Sequence, residues 1–518
     1  MHAPSPDAPR SPRAPRASRA RGARRGACLR PVRQEAGAIF SVLLTAFLLS
    51  GCGFASPVPA VEAYDVVILG GRVIDPASGL DGVRNVGIRA ARVVTVTEAA
   101  LSGRDTVDAR GLIVAPGFID MHAHGQDEEN YRFNAMDGVT TALELEVGTG
   151  DVAAWYAERA GGTLVNHGVT VGHIPLRIRL MDDPSDWLPS GPAVYRLADD
   201  EEIATLRAGI ERGLAEGALG VGFGLQYTPG ASRWEVLEMF RASSSYGAPA
   251  FVHLRHMGHV DPASSVVALQ EVIAASALTG APLHVHHVHS MGILATERLL
   301  AMVSEARAQG LDVTAEVYPY AAAMTSIESA ILAPGWQEVL GADYGDLEWA
   351  ETGERLTAET FYRYREQGGG VIMHFIPRAA KRAALTHPAV VVGSDGQLRD
   401  GVGHPRTAGT FARVLGRFVR EEGLLDWSEA VRKMSTMPAQ ILEARAPDFA
   451  RKGRAQEGAD ADIVVFDPAS VIDRATFERP ATFSEGMRHV LVNGVFVVRD
   501  GELRAGARPG RAVRAPVQ

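Results

Sequence analysis

Thiols are almost absent from this chain: of its 518 residues, only Cys28 and Cys52 are cysteine. Cys28 lies in an arginine-rich leader, so the remainder cannot close an internal disulfide. Nor can it offer a metal site a thiolate from beyond Cys52. Lysine is missing from Cys52 to Ala380, so no amine of that stretch can serve as ligand or base. Long apolar runs are missing as well. Phe40 to Leu49 is mostly apolar, but a stable bilayer span needs about 20 such residues. Positive charge is scarce beyond the leader. Nine arginines against Asp7 and Glu35 give the first 51 residues +7, and the chain's formal −9 leaves −16 for the rest. A protein that acidic is a poor nucleic-acid binder.

The arginine-rich segment followed by a short apolar core reads as a signal peptide. It ends in Leu49-Ser50-Gly51-Cys52, which resembles a bacterial lipobox and predicts cleavage before Cys52 and lipid on its sulfur. Residues 1–51 are therefore expected to be an export signal and 52–63 a linker. The expected address is the cell envelope, facing the periplasm or outside, with the membrane as a partner through that lipid.

What the chain does contain is a run of histidines at strand-like ends. In Pro116-Gly-Phe-Ile-Asp-Met-His-Ala-His-Gly125, His122 and His124 follow a short apolar segment and share strand parity, so both imidazoles face one point. His253 closes Ala248–His253, His287 closes a run from Pro282, and Asp395 ends Ala389–Asp395. Four histidines and a late aspartate at four strand ends suit a metal ion.

Between residues 114 and 453, helical stretches alternate with short β-branched or glycine-rich runs, the rhythm of a parallel barrel. Eight strand candidates are visible: 117–122, 139–147, 169–173, 218–225, 248–253, 282–288, 311–317 and 389–395. A ninth run, 371–375, belongs with the polar segment 343–370 in an excursion between the seventh and eighth. Residues 64–113 and 454–518 alternate apolar and polar residues between Gly, Asp and Pro. They are expected to form one small β-sandwich from both termini, flanking an α/β (β/α)8 TIM-type barrel.

The Pro-Gly-x-Ile-Asp-x-His-x-His run resembles the metal-site signature of the amidohydrolase superfamily. Further motifs resemble its N-acyl-D-amino-acid deacylase (D-aminoacylase) group: Gly172-His173 with Arg177, Gly224 to Gly230, His253-Leu254-Arg255, Tyr318-Pro319-Tyr320, Gly393 to Gly396, and His404-Pro405-Arg406 with Gly409-Thr410-Phe411. The resemblance implies one or two zinc ions held by His122, His124, His253 and His287, with Asp395 moving protons. It implies a substrate α-carboxylate gripped by residues 289, 320 and 406, with Arg255 counted beside them.

Two positions depart from that pattern. The family's metal-bound cysteine falls at or beside Val147, and the carboxylated lysine that bridges two metals in other amidohydrolases is excluded by composition. Glu144 and Glu146 share strand parity, and Glu146, nearer the strand end, is the expected substitute. The family's carboxylate-binding lysine is His289 here, with Tyr320 and Arg406 as the other two. His284 and His286 have the opposite parity to His287 and are expected to pack behind the site, while His256 and His259 are undecided rim residues. The expected activity is hydrolysis of a linear amide, an N-acyl-D-amino acid or a related N-acyl compound. The alternatives are a cyclic amide hydrolase of the hydantoinase or dihydroorotase kind and a non-catalytic metal-containing envelope lipoprotein. Oligomeric state is not legible.

Overall fold

The structure is a computed structural model that describes residues 63–518, His259 excepted. The signal segment, the lipobox, the linker up to residue 62 and His259 therefore lie outside the described residues.

Eight parallel strands form the barrel: β1 (Phe118–Asp120), β2 (Val139–Thr149), β3 (Asn166–Gly172), β4 (Val221–Gly224), β5 (Ala250–His253), β6 (Leu283–Val285), β7 (Val313–Val317) and β8 (Val390–Val392). Each pairs with its sequence neighbour, giving the order β8-β7-β6-β5-β4-β3-β2-β1. These short Val- and Ala-rich runs are buried along almost their whole length, as strands covered on both faces must be. The seam between β1 and β8 is sewn just past the strands, where Ala123 bridges Gly396. There the amides of His124 and Gly125 both donate to the Gly396 carbonyl, at 3.0 and 3.1 Å. Asp120 reinforces it by accepting from the amides of His122 (3.1 Å) and Ser394 (3.0 Å). The seam thus fixes the His-x-His pair against the loop carrying Asp395.

All eight expected strands occur, and the ninth run forms Gly370–Met373, the centre of an antiparallel sheet with Ala323–Ser326 and Leu347–Trp349. This excursion walls one side of the barrel mouth.

The terminal segments make one nine-stranded sheet that joins Ile113–Pro116 to Ile463–Phe466 in antiparallel register. It curls until its far hairpin meets the C-terminal half, with the Val93 amide donating to Ala459 and the Ala461 amide to Ala91. Val66, Ile68, Val86, Val114, Ile463 and Leu491 fill the interior of that curl. The end of the chain differs from expectation. The last sheet strand is Glu502–Leu503, and residues 510–513 run instead beside the start of β3, where the Val513 amide donates to His167 at 2.8 Å. Val513 packs into an apolar cluster with Leu145, Phe251 and Phe449, burial that a sheet edge could not give it. No helix among the described residues is long and apolar enough to cross a membrane.

Candidate active site

Glu146 is the centre of the site. On strand β2, it places one oxygen, Oε2, 2.7 Å from His122 Nε2 and 3.1 Å from His124 Nε2. The other, Oε1, lies 2.6 Å from His253 Nδ1 and 3.8 Å from His287 Nε2. A single carboxylate therefore touches two clusters of ligand atoms: His122, His124 and Asp395 on one side, His253 and His287 on the other. Asp395 Oδ1 stands 3.2 Å from His124 Nε2, while its Oδ2 is 2.8 Å from Arg406 and 4.0 Å from His287. All five expected ligands, with Asp395 and Arg406, thus converge.

His287 and Asp395 both hold left-handed backbone, at φ 28° and 53°. Non-glycine residues adopt it at a cost that concentrates at functional positions.

Each ligand imidazole is held from behind. His122 Nδ1 donates to Glu316 on β7, which also meets His284 and His286. His124 Nδ1 donates to Glu144 at 2.7 Å, and the other oxygen of Glu144 accepts the amides of Glu146, Val147 and Gly148. His253 Nε2 donates to the Gln226 carbonyl oxygen at 3.0 Å, and His287 Nδ1 lies 3.0 Å from the Ser290 hydroxyl. Glu144 therefore contacts His124 from behind, while Glu146 is the one of the pair that lies between both histidine clusters. Glu316 and Gln226 have no counterpart in the sequence expectation. Glu316 had a signal: a carboxylate inside the apolar strand Val-Thr-Ala-Glu-Val has to be paired.

Four carboxylates, those of Glu144, Glu146, Glu316 and Asp395, are enclosed here with one guanidinium, Arg406. Burial alone would drive the carboxyls of Glu146, Glu316 and Asp395 neutral, but the histidines around Glu146 and Glu316, and Arg406 beside Asp395, hold those three below the ordinary carboxylate range. Burial also opposes charge on His122 and His124, and the surrounding carboxylates raise both well above the usual histidine value. Such a donor set, rich in negative charge and imidazole, fits one or two divalent cations.

Three substrate-binding expectations need correction. Arg255 faces away from the mouth, gripping Glu271 at 2.7 Å and the carbonyls of Pro229 and Ala231. Tyr320 donates its hydroxyl to the Pro405 carbonyl at 3.3 Å and packs against Arg413. Tyr318 takes its expected place: its ring lies 4.3 Å from that of His289 and 4.6 Å from the Arg406 guanidinium. His289 is fully buried, and burial first, then the charges of His287, Lys381 and Arg406, hold it well below the usual histidine value, so it adds no cation. Both its ring nitrogens and the Tyr318 hydroxyl lack a hydrogen-bond partner among the described residues. His256 is half-buried and outside the site.

Above these groups opens a cavity of about 620 Å³. His124, Glu146, Asp395 and Arg406 form its floor, Trp187 and Leu188 one wall, and Met324 of the excursion the other. Trp187 stands edge-on to His124, with ring centres 5.3 Å apart.

A parallel barrel whose strand ends gather four histidines and an aspartate around a bridging carboxylate is the architecture of a metal-dependent amidohydrolase. The amidohydrolase family model matches residues 105–498, and the chain belongs to that family. Within it, the chain is 32% identical to the N-acyl-D-glutamate deacylase of Alcaligenes xylosoxydans xylosoxydans over 88% of its own length and 97% of that protein's. It is 30% identical to the D-aminoacylase of the same organism, over 87% and 98%. The crystal structure of N-acyl-D-glutamate deacylase from Bordetella bronchiseptica, complexed with zinc and a phosphonate inhibitor, superposes with a TM-score of 0.76 at 29% identity, covering 88% of this chain and all of that one. The protein is a divergent member of the D-aminoacylase group.

Proposed function

We propose that this protein is a zinc-dependent hydrolase of N-acyl-D-amino acids or closely related linear amides. The observation that carries the reading is Glu146 joining both histidine clusters directly below a cavity whose floor ends in Asp395 and Arg406. Zinc held by His122, His124, Glu146, His253 and His287 would acidify water and polarise the scissile carbonyl.

The chain's own groups do the rest. Asp395 takes the proton from the attacking water and delivers it to the amide nitrogen as the C–N bond breaks, so that a neutral amine departs. Arg406, pointing into the cavity beside Asp395, pairs with the substrate's carboxylate and lays the carbonyl over the metal cluster. Tyr318 and His289 supply neutral hydrogen-bond donors to the same region. One guanidinium without a lysine makes a weaker grip than two cations. Trp187 and Leu188 cover the acyl and side-chain space.

Acidic groups dominate the outer wall. Asp186, Glu328, Glu351 and Asp400 line it, against Arg399 alone. A second carboxylate on the substrate would meet like charge there, so neutral or basic side chains fit better than glutamate or aspartate.

Assay of zinc-loaded protein against N-acetyl-D-amino acids with neutral, basic and acidic side chains, their L forms and hydantoins tests all of this. The expected order is neutral or basic D substrates first, acidic D substrates about tenfold slower, and hydantoins inert. Hydantoin turnover without deacylation would replace the reading with a cyclic amide hydrolase, although no lysine stands on any of the eight barrel strands to serve one. Turnover of none would leave a binding protein.

The leader and lipobox support a second element of the proposal, a lipid on Cys52 that tethers the enzyme to the envelope. Cys52→Ala should move the protein from the membrane fraction to the soluble one. Unchanged fractionation would defeat the anchor.

A further inference from the structure

The helix that brings Arg406 to the cavity is not continuous. It spans Arg406–Arg413, and inside it Gly409 leaves helical geometry at φ −151° and ψ 18°. Such a break strips the next turn of the carbonyls that an unbroken helix would offer its amides, as at any helix start. Another element supplies the missing acceptor. The amides of Phe411 and Ala412 donate to the two carboxylate oxygens of Asp137, at 2.7 and 2.9 Å. Asp137 is buried at the end of the helix Glu128–Met136, just before β2, and caps the second half of the broken helix from outside it.

The other side of the break is held by the C-terminal segment between Ile463–Phe466 and Met487–Val492. The Ser484 hydroxyl lies 2.7 Å from Asp137 and 3.0 Å from the Ala408 carbonyl. Buried Asp473 accepts from Arg413 at 2.6 Å and from Arg417 at 2.8 Å. A Cβ at Gly409 would meet the Asp473 Cβ at 2.7 Å, so the segment can cross here only over a glycine. Farther along, Phe477 stands edge-on to His404, with ring centres 5.1 Å apart. His404 Nδ1 accepts the Arg406 amide at 3.0 Å, while its Nε2 donates to the Ala322 carbonyl at 3.2 Å.

The backbone around Arg406 is thus fixed from several elements, whereas its guanidinium is sparsely held. Among the described residues its one ion-pair partner is Asp395, at 2.8 Å, and Nε has no hydrogen-bond partner. The aim of the remaining donors is therefore set by the backbone beneath them, and a planar fork is useful to a carboxylate only when correctly aimed.

We infer, on the reading that Arg406 grips the substrate's carboxylate, that Asp137, Asp473 and Ser484 are positioning residues for that grip. They fix the angle between the two halves of the broken helix, and the helix fixes where the guanidinium meets its anion. None of the three lines the cavity. Carboxylate recognition then depends on the C-terminal segment, while the histidine ligands stand on supports of their own.

The test compares two substrates of the zinc-loaded full chain: N-acetyl-D-leucine, and N-acetyl-D-leucinol, in which a hydroxymethyl group replaces the carboxylate. Wild type should prefer the acid. Asp137→Ala should raise KM for the acid about tenfold, the effect of a small misalignment, with zinc content unchanged. Its kcat for the acid and its kcat/KM for the alcohol should stay within about twofold of wild type, because only binding of the carboxylate is lost. Asp473→Asn and Ser484→Ala should shift the acid in the same direction by smaller factors. They keep the test decisive if circular dichroism shows that Asp137→Ala does not fold. An equal loss on both substrates, or an unchanged KM for the acid in every folded variant, would overturn the inference and leave the proposed activity standing. A wild type that hydrolyses acid and alcohol equally well would overturn the role of Arg406, and one that hydrolyses neither would overturn the activity itself.

Discussion

Asp395 holds its left-handed backbone in a loop whose flanking glycines are closely packed. A Cβ at Gly393 would meet the Glu316 carboxylate at 3.0 Å, and one at Gly396 would meet the Thr407 backbone at 2.8 Å. Asn tolerates the same backbone as Asp, so Asp395→Asn should keep fold and metal while losing the proton carrier. A fall in kcat of about a thousandfold is expected, read by steady-state kinetics beside metal analysis, and near-normal turnover would sink the assignment. This residue was legible in the sequence, as were the four histidines and Glu146, because strand parity and strand ends fix where short side chains point. Arg406, in the helix Arg406–Arg413, was legible only through the resemblance to the family's His-Pro-Arg motif. The places of Tyr318 and Arg255 were not legible. Tyr318 directly follows β7, and Pro319 then turns the chain, so the spacing to Tyr320 no longer reports a face. Arg255 is claimed by Glu271, sixteen residues on in the helix Ser265–Thr279, and which face of that helix docks is decided by packing.

Among the elements, the loop from Asp182 to Ser190 decides how the cavity is covered. It holds its shape around one side chain: Asp183 accepts the amides of Ser185, Ser190, Gly191 and Ala193. Burial pushes that carboxyl upward, and the amides of Ala193, Ser185 and Ser190 outweigh it and hold it below its ordinary 3.8. A depressed carboxyl stabilises the fold above its unfolded value, and the benefit is lost as pH falls through the folded one. The loop should therefore resist proteolysis at pH 5 and lose that resistance in stronger acid. Asp183→Ala should remove the loop's centre at any pH, at a cost of about 2 kcal/mol. Exchange of the amides from 185 to 193 should then be roughly thirtyfold faster, and KM higher with kcat less affected, because Trp187 would no longer be fixed over His124. Unaltered exchange would show that packing, and not Asp183, shapes the loop. Sequence alone marks this segment as a turn-rich connection and says nothing of what it covers, since that depends on where the barrel places it.

For the whole molecule, the join between barrel and terminal sheet runs through Asp462. Its carboxylate accepts from Asn166 of β3 at 3.0 Å, from the amide of Asn493 at 2.7 Å and from buried Lys452 at 2.7 Å. One side chain thus ties the barrel to the sheet, and among the described residues Lys452 retains only the ion pair with Asp460, at 3.1 Å, if it is removed. Asp462→Ala should cost about 3 kcal/mol, the low end for orphaning a buried partner, as a lowered urea midpoint. A change below about 0.5 kcal/mol would assign the join to apolar packing instead. The barrel and the two-ended sheet were readable from periodicity. The return of residues 510–513 to β3 was not, because a short polar-flanked tail has no period to read.

The pairing of Ile113–Pro116 with Ile463–Phe466 also sets a timetable for synthesis. The outer edge of the first segment has no partner until about 350 more residues have left the ribosome, which at 5–20 residues per second is on the order of 20–70 s. Until then the nascent chain presents an open β-edge, the kind of surface that recruits other strands. A cell making this protein has to shield that edge, and a chain cut short before residue 463 leaves it exposed for good.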